Sequence, residues 1–240
     1  MKRIIISTFA AFFLIGCGGG SGTTSNGINS TYSDNSKNNL VKPTDVNVTK
    51  AITDGIVPGY NESNTTKEKY LAVINYLRSL KIACGDTDNT TGPANAVKWN
   101  DKLYQAALDH SKDVVKNYTK YFKAKVVSTG YSPHLGSGTS TDIVGYQSGT
   151  GSTFDKRIES NNYNYPLGEN VAIVSNTGNG SDTNAWKVAM NSLIRSPEHC
   201  RNIMDIHAKD FGMAEYVSPD NSVYGEYHYF WTQDFGSNEN

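Results

Sequence analysis

The sequence has few groups that could staple or cross-link a fold. Three cysteines, Cys17, Cys84 and Cys200, and five histidines are spread over 240 residues. A core must therefore be held by apolar packing rather than by metals or many disulfides. No basic run stands out, and the formal net charge is −1. Nucleic acid requires an electrostatic footprint, so it is not an expected partner. The longest apolar run, Ile4 to Phe13, is too short to span a bilayer as a stable helix. No short metal motif such as H-E-x-x-H occurs, and no internal repeat is visible.

What is present begins with an export signal. Lys2 and Arg3 precede the apolar run, which ends in Leu14-Ile15-Gly16-Cys17. This stretch resembles a bacterial lipobox. The resemblance implies a lipid on the Cys17 thiol, cleavage before Cys17 and acylation of the new amino terminus. Several acyl chains anchor stably, so the membrane is an expected partner. Gly18 rather than Asp follows the cysteine. In a Gram-negative cell envelope that favours the outer membrane. Residues 18 to about 60 are rich in Gly, Ser, Thr, Asn and Asp and read as a tether, with a random-coil reach of about 30–40 Å. The expected division is a signal peptide over 1–16, a lipid-anchored disordered linker over 17–62, and one domain over 63–240.

Within the domain, Thr65 and Glu68 fit a capping box. Tyr70, Ile74, Leu77 and Leu80 then predict a helix to about Ile82. A second helix follows Asn100, a good N-cap, with Leu103, Ala107, His110 and Val114 on its apolar face. His110 there reads as a core histidine. Residues 124–153 form a long loop rich in Gly, Ser and Thr that contains His134. Helices are predicted near Phe154 to Ser160, after Ser181 or Asp182, and from Ser196-Pro197. Gly168 to Val174 reads as a turn entering a strand. Phe211 to Val217 and Val223 to Phe235 read as a hairpin about Ser218–Ser222. Tyr227, Tyr229 and Trp231 fall on one face, with Tyr224, His228 and Phe230 on the other. The first face packs a sheet or offers a glycan- or lipid-binding stripe. The pattern predicts an α+β fold.

His134, Glu169 and His199 are polar groups at loop or helix-terminal positions. Such residues can bind a divalent metal or share protons. The dipole of its helix disfavours a charged His199, whereas Glu198 and Glu169 favour one. Cys84 and Cys200 are a candidate disulfide; free thiols, or a catalytic Cys200 beside His199, remain open.

The order of segments resembles the CAP (SCP/TAPS) superfamily of cysteine-rich secretory, antigen five and pathogenesis-related proteins. The matching pieces include Asn75-Tyr76-Leu77-Arg78, Val97 to Leu103, Ser132-Pro133-His134, Phe154 to Ile158 and Gly168-Glu169-Asn170-Val171-Ala172. They continue with Trp186 to Ser192, Ser196 to Met204, Phe211-Gly212-Met213-Ala214 and Tyr229 to Gly236. The resemblance implies a three-layer α-β-α sandwich with a central antiparallel sheet. It also implies a cleft containing His134, Glu169 and His199, in which the two histidines of some members hold zinc or another divalent ion. A second glutamate usual in the family is missing. Asn191 is the nearest polar residue to its place, and the loop after His134 is longer than usual. No residue is assigned as catalytic. The expected function is a lipid-anchored binding module of the cell envelope, for a small ligand, lipid, glycan or protein partner. The alternative is a metal-assisted hydrolase.

Overall fold

The computed structural model describes residues 12–13, 40–85, 92–117, 132–146, 150–176, 183–219 and 227–237. Cys17 and most of the expected signal and tether lie outside them, as do Ser181, Asp182, Tyr224 and part of the 124–153 loop. The helices are α1 (Val48–Thr53), α2 (Thr66–Ser79), α3 (Asp101–Lys116), α4 (Phe154–Ser160), α5 (Ala185–Arg195) and α6 (Pro197–Met204). The strands are β1 (Phe12–Phe13), β2 (Lys98–Trp99), β3 (Pro166–Asn176), β4 (Asp210–Val217) and β5 (Tyr227–Gly236).

Local signals start α2, α3 and α6 where the sequence places them; α5 begins at Ala185 after Asn184, later than the expected cap at Ser181 or Asp182, and α1 lies in the stretch expected to be tether. Thr65 and Glu68 close a reciprocal capping box on α2. The Asn100 side chain accepts from the Lys102 N–H to open α3. Pro197 starts α6, although Ser196 makes no side-chain cap bond. Helix α2 ends at Ser79, short of the expected Ile82, which instead forms a bridge with Val41.

The sheet order is β1-β3-β5-β4-β2. The central β3–β5 and β5–β4 pairs are antiparallel; the short β2 joins β4 in parallel. Alternation divides β5 between two helical layers. Phe230 packs with Val114 and Val115 of α3, and Thr232 meets the Ser111 hydroxyl. Tyr229, Trp231 and Phe235 join the main cluster with α2, α5 and α6. Tyr229 and Trp231 are at most 1% exposed, so they form core rather than a binding stripe. The fold is α+β, with helices covering both faces of the sheet. Gly212 lets α3 lie close: a Cβ there would come within 2.2 Å of the Tyr104 backbone nitrogen.

Two buried features tie the layers together. Cys84 and Cys200 form a disulfide, with their Cα atoms 5.4 Å apart. Closing so long a loop is worth about 5 kcal/mol on chain-entropy grounds. It leaves Cys200 no thiol, so the thiol mechanism falls. Arg78, fully buried, donates to the carbonyls of Asn95, Ile203 and Ala208. It thereby binds α2 to the C-terminal end of α6 and the segment after it.

The domain starts earlier than expected. Val46, Val48, Ala51 and Val57 are core residues, so the packed structure reaches back to about residue 41 rather than 63. These few apolar residues escape a composition argument, but they gather against α5. Asn191, expected in the cleft, is part of this arrangement: its Oδ1 accepts from the Val48 N–H at 2.7 Å. Arg195 donates to the Val46 carbonyl nearby. Asn191→Ala is expected to cost about 1 kcal/mol, the usual value of a lost helix cap. Urea unfolding measures this. Limited proteolysis should show earlier cleavage within residues 41–60.

Candidate functional site

The three predicted side chains meet beside β3. His134 Nδ1 lies 3.0 Å from Glu169 Oε1, and the His134 and His199 rings are 6.4 Å apart, centroid to centroid. Asn191 is not with them. Each member has its own local support. Helix α6 is stitched to β3 by amides: Asn170 donates to the His199 carbonyl, and Asn202 donates to the Glu169 carbonyl and to Asn170 Oδ1. Gly168 makes room for this, since a Cβ there would sit 3.0 Å from Asn202 Oδ1. The run Gly168-Glu169-Asn170 thus supplies clearance, a carboxylate and a tether for α6.

The described part of the loop carrying His134 is fastened by buried carboxylates. Buried Asp113 on α3 accepts from the Ser137 N–H and hydroxyl and from the Thr141 hydroxyl. Asp142 accepts from the N–H groups of Gly138, Gly145 and Ser152 and from the Ser152 hydroxyl. His110 Nε2 lies 2.8 Å from the Pro133 carbonyl, and its ring meets Phe230 edge-on. His110 is a core residue, as expected, and it also positions the peptide leading into His134.

Glu169 is the electrostatic centre. Arg157 donates to its Oε2 at 2.6 Å and to the His134 carbonyl at 3.0 Å. Burial by itself would raise the carboxyl pKa; the Arg157 guanidinium and the His134 hydrogen bond outweigh it and bring the value to about 2. Asp234 pairs with Glu169 across β3 and β5. Burial, then the Glu169 charge, push the Asp234 carboxyl well above the usual carboxylate range. His199 falls to about 4, through burial first and His134 next, against an opposing push from Glu198. Desolvation therefore decides what the sequence left undecided, and His199 is neutral at pH 7.

The ionised Glu169 can only accept, so His134 donates through Nδ1–H. That orients the ring of a side chain that is 32% exposed. His199 Nδ1 is buried with no hydrogen-bond partner among the described residues. The site thus has one oriented imidazole at the surface and one unanswered ring nitrogen beneath it.

A metal fits poorly. Both Glu169 oxygens are engaged, by His134 and Arg157. Among the described residues no group of three or more His, Cys, Asp or Glu side chains converges on one point. Two imidazoles do not make a closed zinc site.

Arg157, Asp234, His110 and Asn202 were not picked out as site residues from sequence. Arg157 lies beside Ile158 in a matching segment, and Asp234 shares a strand face with Phe230 and Thr232. A charged residue at an inward register position is the signal that could have found Asp234.

The family model described as "cysteine-rich secretory protein family", CAP, matches residues 71–235. The chain belongs to this family. No curated protein matches the CAP chain in sequence. Among solved structures, it is similar to an extracellular SCP-domain protein from Bacillus anthracis, at 18% identity and a TM-score of 0.42. That match covers 74% of this chain and 45% of the Bacillus protein, so the CAP chain spans less than half of that relative. An outer surface protein from Borrelia burgdorferi matches at 16% identity and a TM-score of 0.32, covering 61% of this chain and 80% of its own.

The pKa directions set two expectations. The unfolded chain protonates its histidines near 6.5, whereas folded His110 and His199 resist until about 4, burial being the leading cause in both. The unfolded state therefore binds more protons between these values. Stability should fall as pH drops from about 6.5 to 4, by up to about 3 kcal/mol per histidine. Urea midpoints across that range measure the fall, and His199→Gln should shrink it. Asp234 has the opposite sign: its folded pKa is raised, so it destabilises the fold once pH exceeds the unfolded value. Asp234→Asn should be more stable than the parent at pH 8, with the difference vanishing near pH 4.

Proposed function

We propose that this CAP protein is a lipid-anchored, extracytoplasmic binding module that takes a small ligand at the His134–Glu169–His199 edge. The observation that carries the reading is the part-exposed His134 ring, oriented by its hydrogen bond to Glu169, beside a neutral His199 whose Nδ1 has no partner among the described residues. Such a pair suits a ligand offering a hydroxyl or amide proton, from a lipid, a glycan or an envelope protein. An extracytoplasmic place is supported by the Cys84–Cys200 disulfide and by the apolar run before Cys17. Cleavage before Cys17 would also remove Phe12–Phe13 from its pairing with Ile173 and Val174.

The metal-assisted hydrolase is the weaker reading, because Glu169 has no oxygen free to act on a bound water. Dialysis against EDTA is therefore expected to leave the melting temperature unchanged.

Calorimetry against phosphatidylglycerol vesicles, a sterol and muropeptides tests ligand binding. Saturable heat with one of them, abolished in His134→Ala, is expected; no heat with any would end the reading. Cys17→Ser should move the protein from the membrane pellet to the soluble fraction and abolish labelling by radioactive palmitate.

A further inference from the structure

A second polar hollow lies at the other margin of the sheet. The His134 edge belongs to β3, whereas this hollow opens beside β4 and β2, between the first turns of α2 and α3. Its volume is about 330 Å³. The Trp99 and Tyr104 rings line it, with centroids 5.6 Å apart and planes tilted by 37°. Phe211 abuts the indole edge-on, and the indole N–H donates to Asp101 at 2.7 Å, so the platform is held from two directions. Lys67 pairs with Asp101 at 3.1 Å and lies 5.4 Å from the indole centroid. Tyr70 and Glu215 complete the lining.

The chemistry selects among ligand classes. A cation seeking the indole face would meet the Lys67 ammonium, which already lies over that ring. An anion would meet Asp101 and Glu215. A purely apolar chain would cover Lys67, Asp101 and Glu215 without offering them a hydrogen bond. A neutral polyhydroxylated ring brings no charge to these groups and can hydrogen-bond to them. Its C–H face, weakly positive, suits the negative face of Tyr104. Its hydroxyls both donate and accept, which matches carboxylates, an ammonium and phenols around one rim.

We propose that the hollow lined by Trp99, Tyr104, Lys67, Asp101 and Glu215 binds a neutral saccharide of one or two rings. This site is separate from the His134 edge and stands whether or not that edge binds a ligand. In an anchored protein it would hold the domain against a glycan surface, with the modest affinity usual for one shallow subsite.

The full chain in a detergent without a sugar head group can be titrated with cellobiose and with N,N′-diacetylchitobiose. Trp186 and Trp231 are 8% and 0% exposed, so the fluorescence response reports mainly on Trp99. A saturable change with at least one disaccharide is expected, matched by saturation transfer from protein to sugar protons in NMR. Tyr104→Ala should weaken binding at least tenfold, and so should Glu215→Gln, which keeps the side-chain shape. The inference is overturned by no saturable change with either disaccharide at about 10 mM, the weak end for a specific site. Undiminished binding in both variants overturns it too, as does saturable binding of tetramethylammonium in place of the sugars.

Discussion

Burying a lone carboxylate costs several kcal/mol, and Glu169 is 4% exposed. The site is the set of answers to that charge. Arg157 supplies the opposite charge from α4 and His134 an N–H from the loop, while Asp234 on the neighbouring strand bears a carboxyl whose ionisation burial and the Glu169 charge disfavour. Each answer also does something else. Arg157 holds the His134 carbonyl, so the cation that neutralises Glu169 fixes the segment bearing the imidazole. Burial and the Glu169 charge together push the Asp234 carboxyl upward. In such a network single parts cannot be changed without disturbing the others.

The frame around this network is rigid for reasons that do not involve the site. The disulfide and Arg78 hold α6 to the end of α2. Asn170 and Asn202 then set the position of α6 along β3. His199 sits where it does because the backbone on both sides of it is bound, not because its ring is. This explains how a ring nitrogen can remain buried and unanswered: the surrounding fold over-determines its place.

Much of the architecture was legible in the sequence. The capping box at Thr65, the cap at Asn100, proline at the start of α6 and the alternation along β5 are short-range signals, and each forms as expected. The ordered segments that mark the CAP family also named His134, Glu169 and His199. The tether boundary was misplaced because four apolar residues among polar ones carry no periodic signal. Asn191 was misassigned because nothing local tells which neighbour a polar helix residue faces; here it is α1.

The sequence alone determined where α2, α3 and α6 begin and which strand faces are apolar, because these depend on residues a few positions apart; the family resemblance, not local spacing, pointed to His134, Glu169 and His199. Only the tertiary structure decided the charge states and the partners. The protonation of His199 and Asp234 depends on how much water reaches them and which charges lie nearby. Those neighbours come from segments 12 to 65 residues away from Glu169, brought together by packing.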